Sequence, residues 1–160
     1  MKKTKNLIFT LVAMAVVTAF SCGGDSVGGE DPLTPAEERF IELAGTSGTR
    51  WVATSITQDG APASGLDNFS ITFRGTAEAK SYSSTDASPF LGASGTWDFN
   101  GTNLNQLIFD GDSDNVYTVS NLNTSTTPAT VRLTVNYTNP SGGVAAGQNG
   151  TYVFNLESAN

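Results

Sequence analysis

The sequence predicts an all-β fold, an antiparallel eight-stranded barrel or, as the alternative, a β-sandwich, with one short helix before the strands. Three observations predict it. From Arg50 onward, apolar residues recur at every second position, the period of a strand with one buried face. Clusters of Gly, Asn, Asp and Pro separate these segments at short intervals, and no helical segment lies between them. Such strands bury one face by closing into a barrel or stacking as two sheets, and we expect the barrel.

The N-terminal segment predicts a lipoprotein signal peptide over residues 1–21. Lysines at positions 2, 3 and 5 precede an uncharged apolar run over 7–20, and small residues lead to the single cysteine, Cys22. The run is shorter than the roughly 20 residues that a transmembrane helix needs. We therefore expect cleavage before Cys22, lipidation of its thiol and attachment to the outer membrane, facing the periplasm or the cell surface. An ordinary secretory signal is the alternative.

Residues 22–33 predict a flexible acidic tether, since they are rich in glycine and contain almost no apolar side chain. Asp25, Glu30 and Asp31 resemble the acidic export signals of surface-exposed lipoproteins of the Bacteroidota, and a solvated linker is the alternative interpretation. The segment Asp25-Ser26-Val27 also resembles the O-glycosylation sequon of that lineage. Ser26 is accordingly a candidate glycosylation site.

A helix is predicted over residues 35–44. Thr34 is placed to cap its N-terminus, Pro35 suits the first helical position, and Glu37 completes a capping box with Thr34. Gly45 is placed to end the helix. An apolar stripe repeats at helical spacing and consists of Ala36, Phe40, Leu43 and Ala44. We expect this stripe to brace the β core, with binding of a partner as the alternative.

Eight segments after the helix have strand character, so residues 34–160 are predicted to form one domain. The clearest alternation covers 68–74, 94–99, 129–137 and 150–157. Weaker segments cover 50–57, 77–83, 104–110 and 115–122. Turn residues such as Asn100-Gly101 and Asp110-Gly111 support the boundaries. The segment 77–83 is the weakest, and a gap there would open the sheet.

Several of these segments together resemble a known group of proteins. They are Gly48-Thr-Arg-Trp51 at the first strand, Phe69-Ser-Ile-Thr-Phe73, Gly95-Thr-Trp-Asp-Phe-Asn100 and Tyr117-Thr-Val-Ser-Asn-Leu122. With the helix before them, they are similar to the small lipocalin-like lipoproteins of the Bacteroidota over residues 45–157. The resemblance implies a lipocalin-like β domain on an outer-membrane lipoprotein.

Aromatic residues dominate the predicted inward positions and are candidates either for lining a ligand pocket or for filling the core. They are Trp51, Phe69, Phe73, Trp97, Phe99, Phe109, Tyr152 and Phe154. An eight-stranded barrel is just wide enough to be filled by side chains or to hold one small ligand. The bulk of this set favours filling, and a small apolar ligand near one mouth remains open. The loops 58–67, 84–93 and 138–149 are the other candidate recognition surfaces, for sugars or protein partners.

One acidic segment resembles the start of a calcium loop. Asp110, Asp112 and Asp114 occupy every second position, which would let their carboxylate oxygens converge on a hard cation such as Ca²⁺. The sixth position is Asn115 where a calcium loop has glycine, and the twelfth is Asn121 where it has a bidentate glutamate. A solvated hairpin turn is therefore the preferred interpretation, and we expect no metal and no cofactor.

Charge and composition restrict the function further. Eight basic residues oppose fifteen acidic ones, and removal of the leader with its three lysines leaves five against fifteen, a net charge of −10. Phosphate backbones repel such a domain, which excludes nucleic acid as a partner. The chain has no histidine and one cysteine, so the usual general base, thiol–histidine pairs and zinc ligands are missing. We expect no enzyme activity.

The leading functional hypothesis is a membrane-anchored, non-enzymatic lipoprotein. Its lipocalin-like domain would bind a small apolar ligand or act as a binding accessory at the cell envelope. The alternative is a structural or assembly subunit that packs against another envelope protein and has no small-molecule ligand.

Overall fold

The structure, a computed structural model, describes residues 31–139 and 149–159. The predictions for the signal peptide, for Cys22 and Ser26, and for most of the tether lie outside these residues. The described elements are one helix, α1 (Pro35–Ala44), and the strands β1 (Thr49–Gln58), β2 (Ala61–Pro62), β3 (Ser70–Gly75), β4 (Lys80–Thr85), β5 (Ser94–Asn100), β6 (Asn103–Phe109), β7 (Tyr117–Asn123), β8 (Thr130–Tyr137) and β9 (Gly150–Ala159).

Eight of the described strands form a closed antiparallel barrel, which confirms the predicted fold over the sandwich alternative. From β3 to β9 each strand pairs with the next in the chain, and β1 joins the two ends by pairing with both β3 and β9. The short β2 is an addition that pairs with the end of β1 through Thr57 and Gln58. Closure removes the exposed edges that an open sheet would present.

All eight predicted segments coincide with barrel strands, and the largest displacement falls on 77–83. The observed strand is Lys80–Thr85, because a tight turn occupies the preceding residues. In that turn the Thr76 amide donates to the Ala79 carbonyl at 3.1 Å. Gly75 has φ 112°, and a Cβ there would overlap the Ala79 carbonyl. The strand therefore starts three residues later than the alternation predicted.

The ladders around the barrel differ in length. β4, the strand with the weakest sequence signal, pairs with β3 over six positions and with β5 over three. The shortest ladder is between β6 and β7, where two residue pairs are in register: Gln106 with Thr118, and Leu107 with Tyr117. We call this the β6–β7 seam. The weakest place in the barrel wall is therefore the seam and not β4.

Helix α1 forms where it was predicted and packs its apolar stripe on the barrel. Thr34 and Glu37 form the predicted capping box, and the Gly45 amide bonds the Ile41 carbonyl. Phe40, Leu43 and Ala44 are buried. The Trp51 indole N–H donates to the Leu43 carbonyl at 2.8 Å, so the C-terminal turn of the helix is bonded to the first barrel strand. The apolar stripe of the helix therefore braces the β core in this structure.

Alternating strand directions place the connections at two ends of the barrel. The helix-to-β1 connection and the turns 76–79, 101–102 and 124–129 lie at one end, which we call the helix end. The connections 59–69, 86–93 and 110–116 lie at the opposite end, which we call the loop end. β8 ends and β9 begins there too, since Tyr137 pairs with Gly150. In the described part of the chain, no helix is long and apolar enough to cross a membrane.

Apolar side chains fill the barrel between its two ends. Trp51, Phe73 and Phe154 are almost fully buried, together with one aliphatic set from β3, β6, β8 and β9: Ile71, Leu107, Leu133, Val135 and Leu156. The Phe73 ring centroid lies 5.0 Å from that of Trp97 and 6.1 Å from that of Phe109. Contacts of this kind stabilise the core beyond the area that the rings bury.

Candidate functional site

Charges are unevenly distributed between the two ends of the barrel. The loop-end connections contain six aspartates and no lysine or arginine: Asp59, Asp67, Asp86, Asp110, Asp112 and Asp114. The five basic residues after the leader lie in α1 or in the halves of the strands nearer the helix end: Arg39, Arg50, Arg74, Lys80 and Arg132. An uncompensated set of carboxylates attracts cations and repels anions. The loop end is thus the acidic end.

Asp110 organises the loop that follows β6. Its Oδ2 accepts from the Tyr82 hydroxyl at 2.6 Å, and its Oδ1 accepts from the Thr96 amide at 2.8 Å. Asp110 has φ 53°, a left-handed conformation that Asp tolerates better than most residues. Gly95 leaves room for the carboxylate, since a Cβ there would overlap it. The strands before and after the 86–93 connection, β4 and β5, are therefore both bonded to the same carboxylate.

Asp112 and Asn115 hold the remainder of that loop. Asp112 accepts from the Asp114 amide at 2.9 Å and from the Asn115 side-chain amide at 2.7 Å. Hydrogen bonding from Asn115, followed by the backbone amides of the loop, lowers the pKa of Asp112 despite partial burial. Asn115 is buried and also accepts from the Thr138 amide at 2.8 Å. Asp112 is consequently ionised at neutral pH and held in a fixed position.

The three aspartates that resemble calcium ligands in the sequence, Asp110, Asp112 and Asp114, do not converge on one centre. Asp110 and Asp112 accept hydrogen bonds from different partners, and Asp114 lies exposed. Among the residues that the structure describes, no group of three His, Cys, Asp or Glu side chains could hold a metal ion.

The 86–93 connection covers part of the loop end with one aromatic side chain. The Phe90 ring lies 4.5 Å from that of Tyr152, 4.8 Å from that of Tyr137 and 5.5 Å from that of Phe154. The Tyr137 hydroxyl donates to the Pro89 carbonyl at 3.0 Å. The Ser84 hydroxyl donates to the Gly92 carbonyl at 2.6 Å. Hydrogen bonds therefore fix the backbone on both sides of Phe90, and its ring covers part of the loop end of the barrel. We call Phe90 the plug.

Two clefts lie on either side of Phe90. The first has a volume of ≈ 230 Å³ and is lined by Phe90, Phe109, Asp110, Asp112, Asn115 and Tyr117 among others; we call it the Asp112 cleft. The second has a volume of ≈ 240 Å³ and is lined by residues that include Gln58, Ser64, Leu66, Ser88, Phe90 and Tyr152; we call it the Leu66 cleft. Both combine aromatic rings with polar side chains, as small-molecule sites do.

The four tyrosines of the chain are buried. Tyr117, Tyr137 and Tyr152 lie in the halves of their strands nearer the loop end, and Tyr82 lies near the middle of β4. Burial raises the pKa of each of their hydroxyls, and Asp110 adds to the effect at Tyr82. Tyr117 differs from the others in one respect. Its hydroxyl is buried and has no hydrogen-bond partner among the described residues.

The aromatic candidates from the sequence are all buried: Trp51, Phe69, Phe73, Trp97, Phe99, Phe109, Tyr152 and Phe154. Most belong to the packed core, while Phe109 and Tyr152 also line the two clefts. Of the predicted recognition loops, 58–67 and 84–93 meet beside Phe90, and most of 138–149 lies outside the described residues. Sequence reasoning missed Phe90 and Tyr117 as site residues. A lone aromatic within an otherwise small and polar loop was the signal for Phe90.

A larger groove, ≈ 460 Å³, lies on β4, β5 and β6 nearer the helix end. There Lys80 pairs with Asp98 at 2.9 Å and lies 5.4 Å from the centroid of the Phe99 ring. Partial burial would raise the pKa of Asp98, but the hydrogen bonds from Lys80 and from the Phe99 amide outweigh it and lower the pKa. In this groove one carboxylate is paired with a lysine, whereas no aspartate of the loop end has an ion pair among the described residues.

The geometry of the loop end suits binding. Its clefts offer carboxylate and amide oxygens, hydroxyl groups and aromatic rings, which are the groups that orient small ligands in proteins. Comparison of the chain with protein-family models, with curated proteins and with solved structures finds no match. The fold and the clefts therefore describe a β-barrel protein with its candidate binding surface at the loop end.

Proposed function

We propose that this protein is a non-enzymatic, lipid-anchored lipoprotein of the outer membrane whose lipocalin-like barrel binds a small ligand at the loop end. The observation that carries the proposal is the pair of clefts beside Phe90, at the end of the barrel opposite α1. The interior is packed with side chains, so a ligand would bind in a cleft at the surface. The chain has no histidine to act as a base, which supports a binding role.

The aromatic lining favours a ligand with an apolar part. Phe90 lines both clefts, and its ring packs on those of Tyr137, Tyr152 and Phe154. A ligand held there would bury apolar surface against these rings, and the polar loop residues would fix its orientation.

Binding is tested with protein taken from its own membrane and examined by native mass spectrometry, followed by titration with a panel of lipids and glycans. We expect a bound small molecule, and weaker binding of it in Phe90→Ala. The matched control is Phe99→Leu, which alters an aromatic side chain outside the loop-end clefts. A protein that carries no ligand and ignores the whole panel would overturn the binding role.

The anchor is tested separately by growth with a labelled fatty acid. We expect label in the wild-type protein and none in Cys22→Ala, which should leave the membrane fraction. Label that persists in Cys22→Ala, or a wild-type protein without label, contradicts lipidation at this residue.

The packed core favours one second function, a structural or assembly subunit of an envelope complex. A barrel filled with side chains has no interior ligand to carry, and its loop end would then contact a protein. Crosslinking in intact cells separates the two functions. A scaffold gives one dominant, stoichiometric partner, whereas a ligand-binding protein does not.

A further inference from the structure

The Asp112 cleft differs from the Leu66 cleft in charge. Asp110 and Asp112 both line it, and their described partners are a hydroxyl, backbone amides and a side-chain amide, all of them neutral. The connections at the loop end contain no lysine or arginine that would neutralise these carboxylates. A carboxylate can accept about four hydrogen bonds, and Asp110 accepts two described bonds and Asp112 three, so both keep lone pairs for a ligand. The cleft is thus a fixed acceptor site with uncompensated negative charge.

A second observation points into the same cleft. Tyr117 lines it and is 3% exposed, and its hydroxyl lacks a hydrogen-bond partner among the described residues. A buried hydroxyl without a partner is destabilising, so such a group calls for an explanation. Burial raises the pKa of the Tyr117 hydroxyl, and the charge of Asp112, which lines the same cleft, adds to the effect.

We propose that the Asp112 cleft binds the charged group of a small organic cation, a primary or quaternary amine. This inference rests on the proposed binding at the loop end and narrows it to one ligand class. Asp112 and Asp110 supply the countercharge, the Tyr117 hydroxyl contacts the ligand, and the rings of Phe90 and Phe109 form the apolar wall. Carboxylates and aromatic rings together are the groups that recognise ammonium ions.

The same features argue against three other classes of ligand: anions, divalent metal ions and neutral sugars. Anions would meet the aspartates of the acidic end, and no basic side chain of the described cleft offsets them. Among the described residues no three acidic side chains converge as a divalent metal needs. A neutral sugar fits the hydroxyl and the rings but gains nothing from the uncompensated charge.

The experiment is a calorimetric titration of the full chain, solubilised from its membrane, with tetramethylammonium chloride and with putrescine. Neopentyl alcohol and 1,4-butanediol are the neutral counterparts of similar shape, and calcium chloride is the divalent probe. We expect binding of one or both amines and none of their neutral counterparts. The affinity should fall as sodium chloride is raised, because salt screens partly exposed charges.

Variants locate the site. Asp112→Asn should weaken amine binding at least about tenfold, and Tyr117→Phe about fivefold. Glu157→Gln is the matched control: it removes the same charge from an exposed position near the helix end and should leave the affinity unchanged. If Asp112→Asn fails to fold, Tyr117→Phe still decides the case, since it removes no described hydrogen bond.

Four outcomes overturn the inference, and three of them concern the probes and the control variant. They are equal binding of the neutral counterparts, binding of calcium without binding of amines, and equal weakening by Glu157→Gln and Asp112→Asn. An absence of amine binding also overturns it, while a ligand found on the native protein and lost in Phe90→Ala would leave the proposed function intact. The two proposals therefore fail separately.

Discussion

At the scale of single residues, the loop end depends on close contacts that leave no room for substitution. The Asp110 carboxylate lies against the backbone of Gly95, where any Cβ would overlap it. This position lets one side chain bond both Tyr82 and Thr96. A glycine within the alternating pattern of a strand is the sequence signal of such an approach.

The tyrosine hydroxyls differ in their bonding and should differ in their effect on stability. Tyr117→Phe removes a buried hydroxyl without a described partner, so we expect the free energy of unfolding to rise by about 1 kcal/mol. Tyr137→Phe removes the bond to the Pro89 carbonyl, and we expect a loss of about 1 kcal/mol. Urea unfolding of both variants measures the difference. Loss of stability in Tyr117→Phe would show that its hydroxyl has a partner in solution.

Only some of the residues of the core and of the loop end could be predicted from the sequence. Alternation predicts which face of a strand is buried, and on that basis Trp51, Phe73 and Phe154 were predicted as inward aromatics. Alternation does not tell which hydroxyl finds a partner, because that depends on side chains brought together from distant strands. Tyr117 and Asp112 are five residues apart in sequence, but the plug beside them comes from another loop.

At the scale of elements, α1 supports the barrel where its wall is thinnest. The β6–β7 seam has two residue pairs in register. Arg39 of α1 donates to the Leu104 carbonyl at 3.3 Å and to the Asn105 side chain at 2.7 Å, both on β6. Helix and strand boundaries were largely predictable, since caps and turns are local signals. The seam was not, because ladder length depends on how two strands lie side by side.

Loss of the Arg39 contacts should loosen the seam. In Arg39→Met we expect the backbone amides of β6 and β7 to exchange with deuterium severalfold faster, because local opening there breaks few bonds. Hydrogen exchange followed by mass spectrometry measures this. The matched control, Arg132→Met, removes the same charge from an exposed position on β8 and should leave the exchange of β6 unchanged. Equal effects of the two variants would contradict a specific role for Arg39.

At the scale of the whole molecule, the fold follows from the sequence more closely than the site does. Eight amphipathic strands without helical crossovers leave few architectures, and closure of β1 on β9 is one of them. The acidic loop end was not apparent, because its aspartates are spread over three connections between residues 59 and 114. Each aspartate suits a turn locally, and their sum appears only once the strands bring the turns to one end.

Stability should fall steeply in alkali. All four tyrosines have a raised pKa because they are buried. Unfolded tyrosines release their protons near pH 10, whereas the folded ones keep them to higher pH, so the folded state binds more protons. The free energy of unfolding is therefore fully retained below about pH 10 and falls above it, by up to about 1.4 kcal/mol per pH unit for each tyrosine.

Urea unfolding at a series of pH values measures this loss. Lys80→Arg serves as the control, since arginine stays charged throughout the alkaline range and keeps the ion pair with Asp98. A midpoint that stays constant to about pH 12 in both proteins would contradict the role of the tyrosines.

The separation of charge between the ends also gives the barrel a permanent electric dipole. Its negative pole is the loop end, because the acidic side chains nearer the helix end are largely offset by the five basic ones there, whereas the six loop-end aspartates are not. In the field of an anionic surface such a body experiences a torque as well as a force. Beside a negatively charged bilayer the molecule would thus rotate its helix end toward the lipid headgroups and hold its clefts open to the surrounding water.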